Sequence, residues 1–222
     1  MRKNIFFDVI TFLFMALAIC AVFFYVPEEK TMGIIQKIFY FHVSSAWISF
    51  FAFFLTFIFS ILHLVKNKST YDGVAFSSAE VGLLFCTIVL VTGPLWAKPV
   101  WGAYWTWDPR LTTTLVLWFI YASYLLLRKF IDDDQKKATY SAILGIIGFI
   151  DVPLVYFSIK WFRTIHPNVF RSGGGLDKSM LYTLLFSLFA FTLLFVNILV
   201  KRVKIELLSR EIKKIKFNRG LD

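Results

Sequence analysis

"IFYFHVSSAWISFFAFFLTFIFSILHLV", residues 38–65, decides the fold class. It carries no Asp, Glu, Lys or Arg, and it is longer than the roughly 20 residues an α-helix needs to cross a bilayer core. Further apolar runs cover about 9–26, 79–95, 111–127, 138–159 and 180–200. Each is long enough to span as a helix, the segment type that satisfies its own backbone polar groups in lipid. The chain of 222 residues is 58% hydrophobic and holds 27 Phe, far beyond the usage of a water-soluble domain. An all-α integral membrane protein follows, with six transmembrane helices in one domain covering 1–222 and both termini on one side.

The charges orient it. Sixteen Lys and Arg residues fall on the side of the termini and eight on the other, so the termini are expected in the cytoplasm. The expected inner loops are 66–78 and 128–137, with a basic tail at 201–222; the expected outer loops are 27–37, 96–110 and 160–179. Net charge of +10 is thereby explained by topology and by attraction to the anionic lipid bilayer, with no nucleic-acid partner. The N-terminal run continues through Val26, past a mock cleavage site, and reads as the first span. Cys20 and Cys86 sit within spans, and no C-x-x-C-H motif for covalent haem attachment occurs.

Three histidines are present. His42 and His63 both lie in 38–65, about 30 Å apart along a helix axis, so they belong to opposite membrane faces. His42 is outside, as is His166 in the loop after the fifth span. Between the third and fourth spans lies "WAKPVWGAYWTWDPR", residues 96–110, dense in Trp. If a short helix starts near Pro99, then Trp101, Tyr104, Trp105 and Asp108 share about 100° of arc with Trp107 to one side. Such a shelf suits a planar apolar ligand; the alternative is an interfacial aromatic belt. Asp108 before Pro109 reads as an N-cap with proline at the first helical position. Arg110 and Lys98 flank the shelf, and Arg163 and Arg171 flank His166; cations there suit carboxylates. Two imidazoles on one face suit the two axial positions of a haem iron, whereas zinc would need further ligands.

Asp151, inside the fifth span and two residues before Pro153, is either part of a pocket floor or an acid that holds a kink. "SGGGLDKS" at 172–179 only mimics a phosphate loop, because Asp177 stands where glycine must precede the lysine. No nucleotide site follows, so any energy source lies in another subunit.

"WGAYWTWDPRLT" resembles the tryptophan-rich "WWD" signature of haem-handling membrane proteins. With "YFHVSSAW" (40–47), "TGPLWAKPVWG" (92–102) and "DVPLVYFSIKWFRTIHP" (151–167), the chain resembles the haem exporter C, or cytochrome c maturation C, family from about residue 30 to 200. The resemblance implies non-covalent binding of haem b at the periplasmic face of a bacterial inner membrane. It implies His42 and His166 as axial iron ligands, and Trp101, Tyr104, Trp105, Trp107, Asp108 and Arg110 around the macrocycle. It further implies delivery to a membrane-anchored haem chaperone, in company with an ABC-type ATPase subunit, its membrane subunit and a small single-span subunit. Such a protein is no enzyme; the alternative is a lyase component that itself attaches haem covalently. A channel through the spans would need a polar path, which the few ionisable groups Asp151, Glu80 and His63 do not supply. Pro109 stands where many members carry a small residue, and the basic tail is long.

Overall fold

The computed structural model of the chain describes residues 2–167 and 176–220, with side chains from Ile5 onward. Helix α1 (Arg2–Cys20) runs into a wider π-helical turn at Ala21–Tyr25. After a short 3-10 turn at Ile34–Lys37 come α2 (Ile38–Lys66), α3 (Ser69–Trp101), α4 (Pro109–Phe130), α5 (Asp134–Trp161) and α6 (Lys178–Asn218). All six are long and apolar enough to cross a membrane. Apart from one Glu29–Gly33 bridge, the described residues pair no strands.

The bundle is packed through small residues. The buried face of α2 reads Ser45, Ser49, Ala52, Thr56, Ser60 and His63. Opposite it on α3, a methyl added to Gly82 would stand 2.7 Å from Phe53 and 3.0 Å from Ala52. At Gly145 and Gly148, α5 likewise presses on Ser60, Thr56, Ile120 and Tyr121. With little hydrophobic drive between helices in lipid, close backbone approach and van der Waals contact hold such a bundle. Phe53 stacks on Tyr121 at 3.7 Å between ring centroids in the middle of this core. Much of the phenylalanine faces outward, as at Phe12, Phe24 and Phe130. That is what a lipid-solvated surface requires.

Both chain ends come to one face. Lys201 of α6 pairs with Asp8 of α1 at 2.5 Å, and Lys213 pairs with Asp134 at the start of α5. His63 reaches this face too, where its Nδ1 meets the Lys68 carbonyl at 3.1 Å and braces the turn at Asn67. The opposite face carries the start of α2, the end of α3, the start of α4 and the end of α5.

Three boundaries differ from the sequence expectation. The polar stretch 69–78 is helical rather than loop, because Asp72 is buried between Arg128 (2.7 and 2.9 Å) and Arg210 (2.8 Å). Paired charges let the start of α3 pack instead of fraying into water. The basic tail extends the last span rather than leaving it: α6 continues through it to Asn218, with Arg202 on Glu80 (2.6 Å) and on Glu206 (3.3 Å) and Arg210 on Glu206 (2.7 Å). Several tail cations therefore neutralise the chain's own acids rather than lipid. Finally, no helix begins at Pro99. Instead α3 runs through Pro94 and Pro99 to Trp101. Proline removes one N–H per position, a loss that membrane helices tolerate. The helix stops where Gly102 takes φ +78° and gives its N–H to the Lys98 carbonyl at 3.0 Å. Arg171 and the glycines of 173–175 lie outside the described residues, and so does the loop stretch 168–175 as a whole.

Candidate functional site

His42 stands in the second turn of α2, facing α3. Its Nδ1 lies 2.9 Å from Thr92 Oγ1. That hydroxyl already donates its one proton to the Ile88 carbonyl at 2.7 Å, so it must accept from the imidazole. His42 therefore carries its proton on Nδ1 and presents a bare Nε2 lone pair. Gly93 makes room for the ring: a methyl there would meet His42 Cε1 at 3.4 Å. Thr92 and Gly93 were not singled out as site residues in the sequence. The "TGP" triplet was the available signal, but its partner lies fifty positions away.

His166 is built the same way from different parts. Its Nδ1 is 3.2 Å from the Pro167 carbonyl, a group that can only accept. The proton again sits on Nδ1 and Nε2 is left bare. The backbone beneath it is tied to Asp108: Oδ2 accepts from Thr164 Oγ1 at 2.6 Å and from the Ile165 N–H at 3.0 Å. Thr164 Oγ1 in turn accepts the His166 N–H at 3.0 Å. The other carboxylate oxygen of Asp108 accepts from Arg110 N at 3.0 Å and caps α4, with Pro109 at the first helical position as expected. One buried carboxylate thus joins the start of α4 to the histidine loop.

Arg110 lies among these groups, near enough for its charge to act on both histidines. Its guanidinium has no ion-pair partner among the described residues, which leaves it open to an anionic ligand. Burial first, and the Arg110 charge second, hold the His166 imidazole down at about 4, against weaker opposite pulls from the Pro167 carbonyl and Asp108. At neutral pH it is an uncharged base, the form that binds metals. An unfolded chain takes up this proton near the ordinary 6.5, so the unfolded state binds more protons between about 6.5 and 4. Folded-state stability is expected to fall as pH drops through that window. His166→Gln should flatten this slope in thermal melts of the detergent-solubilised protein.

The aromatic residues do not share one face. Trp101, the last residue of α3, is the tryptophan of this stretch that meets a histidine, 6.4 Å from the His166 ring and edge-on to Trp96 at 5.2 Å. Trp105 and Trp107 pair with each other at 6.0 Å, and Tyr104 lies under the Lys98 ammonium at 5.4 Å. The expected single arc of Trp101, Tyr104, Trp105 and Asp108 fails because the helix ends at Gly102, and residues 103–108 follow as irregular chain. Tyr104 and Trp107 are instead strongly exposed, at 58% and 77%. Asp151 is not part of this site by any hydrogen bond. It is buried in α5, and its Oδ2 has no hydrogen-bond partner among the described residues.

Two bare imidazole nitrogens, an unpaired arginine and exposed ring surface now stand together on one face of a six-span bundle. A family model described as heme exporter protein C matches residues 2–218. The chain belongs to the heme exporter protein C family. It is 38% identical over 192 residues to the heme exporter protein C of Bradyrhizobium diazoefficiens, covering 85% of this chain and 73% of that protein. Its identity to the Escherichia coli K12 protein of the same name is 31% over 182 residues, covering 82% and 74%. A putative cytochrome c biosynthesis ccmC-like mitochondrial protein of Marchantia polymorpha is 34% identical over 168 residues, covering 75% and 71%. This chain is thus a multi-pass membrane member of the family.

Because Thr92 sets the His42 tautomer, its replacement carries a prediction. Partners that fix the tautomer of a metal-ligating histidine typically contribute 10–100-fold to affinity, so with His42 as a haem ligand Thr92→Val is expected to weaken haem binding by roughly that factor. Thr92→Ser should restore it. A spectrophotometric haem titration of the purified variants measures both.

Proposed function

We propose that this protein holds a haem b on the face that carries His42, His166 and the loop 102–108, and passes it to a membrane-anchored haem chaperone. The observation that carries the reading is the pair of histidines whose Nδ1 protons are already engaged, so that each keeps an unprotonated Nε2 as a ligand. Iron in a porphyrin has two axial positions, and two neutral imidazoles fill them. Arg110 pairs with a propionate. Trp101 packs beside His166, while the half-buried Trp105 and the exposed rings of Tyr104 and Trp107 cover the macrocycle edge. Neutral imidazoles also suit release, since each iron–nitrogen bond is exchanged for another without a covalent step in this chain. The protein acts as a carrier subunit and not as a catalyst.

The excess of Lys and Arg on the terminal face supports a cytoplasmic location for that face, and with it a site that faces the periplasm across a bacterial inner membrane. The relatives' names, heme exporter and cytochrome c biosynthesis, support a role in c-type cytochrome assembly. In this role it works with an ABC-type ATPase subunit, its membrane subunit and a small single-span subunit. The test is transfer: haem-loaded protein in detergent or vesicles is mixed with the purified chaperone. Haem is expected to leave this chain and appear on the chaperone, read as a haem-stained band that survives denaturation. Haem that stays on this chain through many equivalents of chaperone refutes delivery, while its spectrum still reports binding.

A further inference from the structure

Within the bundle, α1 covers one face of α6. Phe14 packs on Phe186 and Phe189, Asn197 donates to Thr11 Oγ1, and Asp8 pairs with Lys201. At 100° per residue this same face continues past Lys201 as Ile205, Leu208, Ile212 and Ile215. Among the described residues the cover ends there: the antiparallel pairing of Asp8 with Lys201 and of Thr11 with Asn197 sets Arg2, the first described residue of α1, level with about Leu207. Ile212 and Ile215 are 55% and 45% exposed.

The bilayer cannot supply the missing cover. The reverse face of this segment is clamped: Leu207 lies against Gly73, Arg202 pairs with Glu80, Arg210 with Asp72 and Ser69, and Lys213 with Asp134. The helix is therefore held in line with the span and does not turn to lie along the headgroups. At 1.5 Å per residue, Ile212 and Ile215 stand about 16 and 21 Å beyond Lys201, past the hydrocarbon edge. An apolar stripe held in water marks a protein-binding surface. Its rim is predominantly basic: Lys204, Lys216 and Arg219, set against the single acid Glu211, have no ion-pair partner among the described residues. A second copy would bring the same cations against these, which like-charge repulsion opposes.

We propose that the stripe Ile205–Leu208–Ile212–Ile215 docks an amphipathic helix of a cytoplasmic partner protein, with acidic residues on that helix meeting Lys204, Lys216 and Arg219. The mode is helix on helix, apolar anchors at i, i+3 and i+7 with a charged rim. The cytoplasmic location rests on the orientation given above. Ser209→Cys, labelled by an impermeant maleimide from one side of the membrane or the other, tests that orientation separately.

The docking test uses the full chain in its native membrane, with a benzophenone amino acid at Ile212. Expected is an adduct whose mapped peptide is an amphipathic, Asp/Glu-flanked helix of another protein. Its yield should fall about tenfold when Lys204→Glu and Lys216→Glu are combined, because opposing charges govern partner choice. These exposed substitutions should leave helix content and thermal unfolding of the purified chain unchanged. An adduct with lipid, an adduct with a second copy, no adduct, or a yield indifferent to charge reversal would each overturn the proposal.

Discussion

Alanine at either His42 or His166 is expected to abolish the six-coordinate, low-spin spectrum of the haem-loaded protein. On the reading proposed above each imidazole supplies one axial position, and no third histidine stands ready to replace either: His63 is at the other face, bracing the α2–α3 turn. Partners one shell away from a metal contribute 10–100-fold in affinity, so deleting a ligand should cost at least about 100-fold. The two variants should differ in a telling way. His42 sits in a regular helix turn against Thr92 and Gly93, so His42→Ala removes a ligand and leaves the scaffold. His166 hangs on a loop tied to Asp108, and its alanine variant keeps those ties, since they run through Thr164 and Ile165. Added imidazole should therefore restore the low-spin bands in both variants. Optical and resonance spectra of the purified proteins read this directly. A low-spin spectrum that survives in both single variants sinks the paired-ligand reading.

Much of this site was legible along the chain because it depends on spacing and local chemistry. The separation of His42 from His63 placed them at opposite faces, and the Asp-Pro pair at 108–109 announced a helix start. The six apolar runs needed only length. What escaped detection depends on contacts between distant segments. Thr92 meets His42 across fifty positions, and Asp108 meets Thr164 across fifty-six. No local pattern encodes either. The Trp-rich stretch departs from its pattern for a different reason: helical periodicity ends at Gly102, where a left-handed residue stops the helix and resets the facing of every ring after it. The tail escaped for a third. Counting cations assigns each to solvent or lipid, whereas Arg210 and Arg202 are joined to Asp72, Glu206 and Glu80, and α6 runs on as one 41-residue helix through them.

Asp108→Ala is expected to damage both the fold and the site, and to do so through His166. The wild-type carboxylate accepts three hydrogen bonds, one from Arg110 N and two from the Thr164–Ile165 segment. Losing the cap on α4 costs about 0.5–2 kcal/mol. Leaving the Ile165 N–H without its acceptor adds roughly 1–3 kcal/mol where water does not replace it. Unfolding in mild detergent should register a combined loss of a few kcal/mol. The histidine loop, released from α4, should lower haem affinity by about 10–100-fold, as other partners of metal ligands do. Asp108→Asn separates anchoring from acid chemistry. Its one amide oxygen can serve the cap or the loop but not both, so intermediate stability and intermediate affinity are expected, with haem transfer following affinity. An Asn variant that binds haem as tightly as wild type yet fails to transfer it would make Asp108 a proton donor in delivery and displace the anchoring role argued for it.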